Sequence, residues 1–325
     1  MSSPSVPLRA ILVFGATGRQ GSALINALLS SPGIESKHTI LAVTRDPSTP
    51  RAQKLIQSER SRRIIKVIKG NLNSPSEIFR QARELSPSGD NKVWGVFSMQ
   101  DKDPKIYPNY LDSPEVKQAF GLIDESIKNG VEYYVYTSGD RGGNDRSWEN
   151  PTTVPHFKTK YHIERYLLDQ IKEQNSSMRW TIFRPTMFYE NLQPTFDIKI
   201  FMTAYRDILR NKKCQWISTV DIGVFVSKAF LTPEEYYGRA ISLAGDEFTF
   251  EELDEKFRKV TGKGVPVTFG VLGKTLGLAA RDYQLMLECF RDDGYGADIE
   301  ECRRIHPGMM GVEEWLRERS GYTKI

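Results

Sequence analysis

Cysteine and histidine are both scarce in this sequence of 325 residues. The three cysteines, Cys214, Cys289 and Cys302, are an odd number and lack the close spacing of metal ligands or a disulfide framework. The four histidines are scattered, so we predict that the protein has no metal site. Sparse thiols are typical of reducing compartments. We therefore expect a cytoplasmic protein, with the nucleus as an alternative location.

Long apolar runs are also missing. No stretch approaches the roughly 20 apolar residues of a membrane-spanning helix, so we expect no membrane partner. The opening residues, MSSPSVPLR, lack the basic start of a signal peptide, and the apolar run behind them is too short for one. We expect this opening segment to be a loose tail.

Charge of one sign is not concentrated in a long run. The net charge is +4, and the densest basic cluster is Arg60, Arg62, Arg63 and Lys66, with Glu59 beside it. The cluster is short and has no interleaved aromatic residues, which is more typical of a solvated helix end than of a nucleic-acid surface. We therefore expect no direct contact with nucleic acid.

Glycines at three-residue spacing are the most informative feature that is present. The apolar run 10–14 ends at Gly15, Gly18 and Gly21 follow, and an apolar helical pattern then begins. A buried strand, a tight turn and a helix that starts in the turn form a dinucleotide site, because free amide groups at the helix start hold a pyrophosphate. The alternative is a merely structural loop. The predicted cofactor contacts in this turn are Gly15, Thr17, Gly18, Arg19, Gln20 and Gly21.

The first half of the chain alternates short β-type runs with helical stretches, which indicates βαβ units and a parallel sheet. We predict strands at 9–14, 38–44, 64–68, 93–98, 132–137 and 179–184. We predict helices at 20–30, 50–60, 75–84, 114–129 and 157–173. Six such strands favour the doubly wound order 3-2-1-4-5-6.

The pattern loosens after Pro185. We predict a helix at 194–210, a strand at 214–217 and a helix at 222–231 opened by Asp221, while Thr249 to Glu252 forms a capping box that starts another helix. The predicted fold class is α/β, a doubly wound parallel (Rossmann) sheet with a smaller, mostly helical C-terminal cap. We assign 8–190 and 213–245 to the Rossmann domain, and 191–212 and 246–325 to a substrate-binding cap.

The end of the second predicted strand bears on the choice of cofactor. NAD-preferring sites carry a carboxylate there, whereas this strand ends in Thr44 and Arg45, and an arginine offers its donors to a 2′-phosphate. Arg45 therefore favours NADP over NAD, and Arg19 is a candidate second cation. Asp46 follows directly, but its side chain should point elsewhere. The alternative is that Arg45 is only a surface charge.

Polar or small residues follow the other predicted strands as well. Because carboxyl ends of parallel strands line the ligand crevice, we expect them along the cofactor, although each could be ordinary turn chemistry. We expect a side-chain amide near the adenine and backbone groups near the nicotinamide. The predicted contacts after the third, fourth, fifth and sixth strands are Asn71, Leu72, Ser98, Met99, Ser138, Pro185 and Thr186.

His156 and Lys160 lie one helical turn apart at the start of a predicted helix and share a face. A lysine at this place can hold the ribose of a nicotinamide, and a histidine beside it can exchange protons near neutral pH. The alternative is a solvated Lys160 and a His156 that caps the helix.

These segments together carry a family resemblance. The chain resembles the NmrA-like family of atypical short-chain dehydrogenases and is similar to isoflavone-reductase-like enzymes. The matching pieces are GATGRQG (15–21), TRDP (44–47), GNL (70–72), HFKTKYHIERYL (156–167), FRPTMFYENL (183–192), DIG (221–223) and GDEFTFEEL (245–253).

The resemblance implies an NADP(H)-binding Rossmann domain, a smaller C-terminal cap and a catalytic role for Lys160. Ordinary short-chain dehydrogenases carry Tyr-x-x-x-Lys, with the tyrosine as proton donor. In this sequence His156 occupies the place of that tyrosine, so the usual acid for carbonyl reduction is absent.

Two functions remain open from the sequence. The first is an NADPH-dependent oxidoreductase that acts on a bulky small molecule, with hydride transfer from NADPH and a proton from His156 or from Tyr189 of the cap. The aromatic-rich cap favours a bulky ligand. The second is a non-catalytic NADP(H) redox sensor, a kind of protein that the resemblance includes, which would regulate a transcription factor through protein contacts. Fold alone does not separate them.

Overall fold

The computed structural model describes residues 8–87, 91–100, 109–268 and 281–323. Strands and helices alternate up to residue 185. In chain order these elements are β1 (Arg9–Val13), α1 (Arg19–Ser30), β2 (His38–Thr44), α2 (Pro50–Leu55), α3 (Glu59–Ile64), β3 (Ile65–Lys69), α4 (Pro75–Leu85), β4 (Gly95–Ser98), α5 (Pro114–Lys128), β5 (Tyr133–Thr137), α6 (Pro155–Glu173) and β6 (Arg179–Pro185).

The remainder of the described chain contains mostly helices with short strands between them. These elements are β7 (Met187–Phe188), α7 (Phe196–Leu209), β8 (Cys214–Ile217), α8 (Thr219–Leu231), β9 (Arg239–Leu243), β10 (Asp246–Phe248), α9 (Phe250–Thr261), α10 (Arg281–Asp292), α11 (Ile299–Ile305) and α12 (Val312–Glu318).

The main sheet has seven strands in the order β3-β2-β1-β4-β5-β6-β9. The predicted order 3-2-1-4-5-6 is confirmed, and β9 extends the sheet beyond β6. All seven residues of β2 are buried, as are the four that follow Arg9 in β1, which is typical of central parallel strands covered by helices on both faces. The parallel pairing brings the carboxyl ends of the strands to one edge, with Val13 opposite Ala42 and Thr44 opposite Lys69.

Many predicted boundaries differ from the observed ones by one or two residues, and three differences need a closer description. The helix expected at 50–60 is two helices, because the Ser58 hydroxyl accepts a hydrogen bond from the Ser61 amide (3.0 Å) and holds residue 58 in an extended conformation. The strand expected at 64–68 is shifted by one residue and extends from Ile65 to Lys69. Helix α8 begins at Thr219, so Asp221 lies inside its first turn instead of opening it.

The predicted capping box is confirmed. The Glu252 amide donates to the Thr249 hydroxyl (3.2 Å), and the Thr249 amide donates to the Glu252 carboxylate (2.8 Å). Helix α9 begins directly after Thr249 and buries an apolar stripe that includes Leu253 and Phe257.

The chain divides into two compact units, each built from three separate stretches. The first unit contains the stretch ending at Ser138, His162–Phe183 and Ile222–Ala240. The second contains Gly139–Tyr161, Arg184–Asp221 and the stretch from Ile241 onward, and includes the small sheet β10-β8-β7. The predicted domain limits, which divide the chain by function, stay a prediction. Within the described ranges, no helix combines the length and apolar character needed to cross a bilayer.

Candidate cofactor-binding site

The glycine turn between β1 and α1 is tightly closed. Gly15 has a φ of +63°, a left-handed conformation that favours glycine, and the Gly18 amide donates to the Gly15 carbonyl (2.8 Å). A Cβ atom at Gly21 would lie 2.2 Å from the same carbonyl oxygen. The first turn of α1 therefore packs against the backbone of the loop, and only glycine fits there.

The start of α1 is open to an anion. Gly18 is the N-cap residue, no side chain caps the helix, and its first turn contains no acid. Several other helices are capped by a side chain, namely those that follow Thr49, Ser58, Ser113, Thr249 and Asp298. Uncapped amide groups and the positive end of the helix dipole suit a pyrophosphate.

The side chains of this turn differ in their exposure and in their hydrogen-bond partners. Gln20 is buried, and its side-chain oxygen has no hydrogen-bond partner among the described residues. Thr17 is half-buried, whereas Arg19 is exposed. A buried amide oxygen without a partner, next to an uncapped helix start, fits a site that a ligand completes.

The strand ends on either side of the turn hold it in place. The Phe14 amide donates to the Phe97 carbonyl of β4 (3.1 Å), and the Ala16 amide points at the Val43 carbonyl of β2 (3.4 Å). The half-buried Met99 covers the turn, since a Cβ at Gly15 would lie 2.7 Å from its sulfur. The structure thus brings the predicted residues Gly15 and Met99 into contact.

Arg45 directly follows β2 and is exposed, and its neighbour Asp46 faces its own loop. The Asp46 carboxylate accepts hydrogen bonds from the Ser48 hydroxyl (2.7 Å) and the Ser48 amide (2.8 Å). These bonds, with a smaller contribution from the charge of Lys69, hold the pKa of the Asp46 carboxyl below its ordinary value. One oxygen of the carboxylate is therefore held by the loop, and the Arg45 guanidinium is exposed directly after β2.

Lys69 is a residue that the sequence reasoning missed. It ends β3 opposite Thr44 and is exposed. The cause was the predicted end of the strand, because a strand that ends at residue 68 leaves residue 69 in the following turn. An extension by one residue would have placed a lysine beside the carboxyl end of β2.

The turns after β3 and β4 already use part of their polar groups. The Asn71 side-chain oxygen accepts from the Asn73 amide (3.0 Å), which leaves its NH₂ group for a ligand, and Leu72 beside it is half-buried. The fully buried Ser98 hydroxyl accepts from the Gln100 side chain (3.0 Å). Ser98 thus supports the loop that carries Met99.

The end of β5 provides one further polar atom. The Ser138 amide donates to the Phe183 carbonyl of β6 (2.8 Å), which continues the pairing beyond Thr137. The Thr137 hydroxyl is buried and has no hydrogen-bond partner in the described part of the chain. The predicted contact at this strand end is Ser138, whereas the hydroxyl without a partner in the described ranges belongs to its neighbour Thr137.

The remaining predicted residues belong to the second unit. His156 and Lys160 are half-buried in the first turns of α6, which begins at Pro155. The Pro185 carbonyl accepts from the Asp140 amide (3.1 Å), and the Thr186 amide and hydroxyl both donate to the Leu243 carbonyl (3.0 Å each). These backbone groups of Pro185 and Thr186 are engaged within the protein, so a role for them at the nicotinamide stays a prediction.

Tyr189 is fully buried, and its hydroxyl donates to the Asp246 carboxylate (3.0 Å). Burial and the neighbouring carboxylate raise the pKa of this hydroxyl far above its usual value. The proton is thus committed to Asp246, which is the geometry of a structural tyrosine. A role for Tyr189 as a proton donor in catalysis stays a prediction. Its hydrogen bond to Asp246 does not favour that role.

Several motifs that carry the family resemblance form a carboxylate clamp, which we define as Glu190, Asp221 and Asp246. Each accepts a hydrogen bond from the C-terminal stretch of the second unit. The donors are the Trp315 indole to Glu190 (3.3 Å), the Met310 amide to Asp221 (3.1 Å) and the Val312 amide to Asp246 (2.8 Å). Burial of Glu190 and Asp221 makes loss of these partners costly.

Comparisons with known proteins identify the family. The model of the NmrA-like family matches residues 8–316, and the chain belongs to this family. Among its curated relatives, the NmrA-like family domain-containing oxidoreductase malD of Malbranchea aurantiaca is 24% identical over 270 residues, covering 78% of this chain and 74% of the relative. An NmrA-like family domain-containing protein of Dictyostelium discoideum is 21% identical, covering 95% of this chain and 97% of the relative.

Solved structures share the fold. NmrA, a negative transcriptional regulator, in complex with NADP matches with a TM-score of 0.66 and 17% identity, covering 97% of this chain and 96% of that one. The triphenylmethane reductase of Citrobacter sp., complexed with NADP(H), matches with a TM-score of 0.65 and 15% identity, covering 96% and 99%. At these identities the likeness shows the Rossmann-type α/β architecture alone.

Proposed function

We propose that this protein is an NADP(H)-binding oxidoreductase of the NmrA-like family that acts on a bulky small molecule. The observation that carries the proposal is the start of α1 behind the closed glycine turn, because a helix start that no side chain caps and no acid flanks suits a pyrophosphate. When bound, NADPH supplies a hydride from its nicotinamide ring. The names of curated relatives, which are NmrA-like oxidoreductases, support the same reaction class.

The choice of NADP(H) over NAD(H) rests on Arg45. Its guanidinium is exposed at the end of β2, and the acid beside it is bound to Ser48. A fork of N–H donors suits a 2′-phosphate, and the acid beside it is held towards its own loop through one carboxylate oxygen. Structural neighbours include complexes with NADP or NADP(H) and, for NmrA, with NAD, so they support binding of a nicotinamide dinucleotide and do not separate the two forms.

We assign Lys160 to orient the nicotinamide ribose and His156 to hold the proton that the product receives. Family resemblance supports the first role, and the helical spacing of the two residues supports the second. Both assignments concern side chains in the first turns of α6 and are tested by substitution.

A second candidate is a non-catalytic NADP(H) redox sensor that regulates a transcription factor through protein contacts. The observation in its favour is His156, which occupies the place of the tyrosine acid in Tyr-x-x-x-Lys. Without that acid, a protein can bind the cofactor and still lack reductase activity.

The test combines binding with turnover. We expect calorimetry to show NADPH binding and the purified chain to consume NADPH with a member of a panel of ketones, imines and enones. Turnover should be abolished in Lys160→Ala and retained in Lys158→Ala, a matched lysine on the same helix. Tight NADPH binding without turnover on any substrate would favour the sensor. Failure to bind either cofactor form would refute both candidates.

A further inference from the structure

We propose that Lys69 is the second cation of the adenosine 2′-phosphate site, beside Arg45, and therefore a determinant of the preference for NADP(H) over NAD(H). Because it concerns the same cofactor, the inference rests on the proposed function. Arg19 stays a predicted candidate for such a cation, and the strand register brings Lys69 to the end of β2 that carries Arg45.

The backbone of Lys69 is fixed next to the chain that carries Arg45. Lys69 pairs with Thr44, the residue before Arg45, and the Gly70 amide donates to the Thr44 carbonyl (2.9 Å). On the other side, the Gln81 side chain donates to the Lys69 carbonyl (3.2 Å). Two strands and one helix therefore define where the lysine side chain leaves the sheet.

The charges around these two residues favour an anion. Arg45 and Lys69 are exposed, and neither forms an ion pair with an acid of the described ranges. Asp46, which directly follows Arg45, keeps its negative charge, and the Ser48 amide and hydroxyl hold one of its oxygens within its own loop. The charge of Lys69 also acts on Asp46, so the ammonium lies within electrostatic reach of the turn that carries Arg45.

The chemistry of a phosphate monoester explains why two cations would be used. Such a group carries between about 1.5 and 2 negative charges at neutral pH, more than a single guanidinium balances. Arginine contributes a planar fork of donors, and lysine contributes a mobile point charge that adjusts to the remaining oxygen. NAD(H) has a hydroxyl at this position, so Lys69 should contribute little to its affinity.

Lys66 provides the matched control. It lies on the same strand, three residues before Lys69, and it too is exposed. Lysines on an edge strand commonly serve only to discourage strand pairing between molecules, and β3 is an edge strand of the main sheet. If the lysines act only through the overall positive charge of the surface, both should contribute to NADP(H) affinity. If Lys69 contacts the phosphate directly, only the lysine that pairs with Thr44 should contribute.

The experiment measures the Kd of the full chain for NADP⁺ and NAD⁺ by calorimetry in Lys69→Gln, Lys69→Arg, Lys66→Gln and Arg45→Gln. We expect Lys69→Gln to weaken NADP⁺ binding about tenfold, as for loss of one charge-assisted hydrogen bond, and to change NAD⁺ binding less than twofold. Lys69→Arg should restore most of the affinity, and Lys66→Gln should match the unmodified chain.

Equal losses in Lys69→Gln and Lys66→Gln would overturn the inference in favour of a general field. Unchanged NADP⁺ binding in Lys69→Gln, combined with a clear loss in Arg45→Gln, would overturn it while leaving the proposed function intact. No binding of either dinucleotide to the unmodified chain would refute the proposed function and the inference together.

Discussion

His38 gives a prediction about stability that the structure makes quantitative. It is the first residue of β2, is 4% exposed and lies 5.8 Å from the Trp94 ring. Both ring nitrogens are buried and have no hydrogen-bond partner among the described residues. Burial, with the nearby charges of Arg9 and Lys37, lowers the pKa of His38 from 6.5 to about 4.

The sign of the pH dependence of stability follows from comparing the pKa of His38 in the folded and unfolded states. Because the folded pKa is lowered, the unfolded chain takes up a proton near pH 6.5 while the native state does not. The contribution of His38 to the free energy of unfolding is therefore complete above pH 6.5 and is lost as the pH falls towards 4. At about 1.4 kcal/mol per pKa unit, the loss reaches roughly 2 kcal/mol at about pH 5 and roughly 3 kcal/mol in full.

The assay is urea denaturation of the unmodified chain and of His38→Phe between about pH 7.5 and 5. Phenylalanine keeps an aromatic ring against Trp94 and removes both nitrogens, so the variant should be at least as stable at neutral pH. Carboxylates that titrate in this range are common to both proteins, and their effect cancels in the difference. Parallel stability profiles would show that His38 takes up a proton as readily in the native state as in the unfolded chain and would refute the reasoning.

Three further substitutions test the glycine turn, a helix and the buried tyrosine. Gly21→Ala places a methyl group 2.2 Å from the Gly15 carbonyl oxygen and should lower the free energy of unfolding by about 1–3 kcal/mol and weaken NADPH binding. Gly121→Ala in α5 meets nothing closer than 3.6 Å and should raise the free energy by about 0.5–1 kcal/mol; similar effects of both changes in denaturation would contradict the tight turn. Tyr189→Phe should lower stability by about 1–3 kcal/mol through the partner lost by Asp246, with kcat unchanged. A large fall in kcat at unchanged stability would restore Tyr189 as a proton donor.

Local signals made much of the fold predictable from the sequence. The run of seven buried residues in β2 defines a central strand, and its predicted bounds match the observed ones, His38–Thr44. The reciprocal bonds of Thr249 and Glu252 are encoded within four residues, so the start of α9 could be identified. The glycine spacing in 15–21 is equally local. In each case the determining contacts lie within a short segment.

Contacts between distant residues could not be predicted in the same way. Tyr189 and Asp246 are 57 residues apart, and their hydrogen bond depends on how the second unit folds. The role of Lys69 depends on where β3 ends to within one residue. The sequence IKVIK does not define that end, because its lysine and apolar residues alternate only loosely. Neither hydropathy nor spacing distinguishes a buried tyrosine that binds an acid from one that serves a substrate.

The arrangement of the compact units has a consequence for biosynthesis. Each unit joins three separated stretches, and the first needs Ile222–Ala240 before its contacts are complete. The second needs residue 315, whose indole binds Glu190. A nascent chain emerging from the ribosome thus holds the glycine turn and most of the main sheet before either core can close, and in that interval its apolar strands are exposed to aggregation.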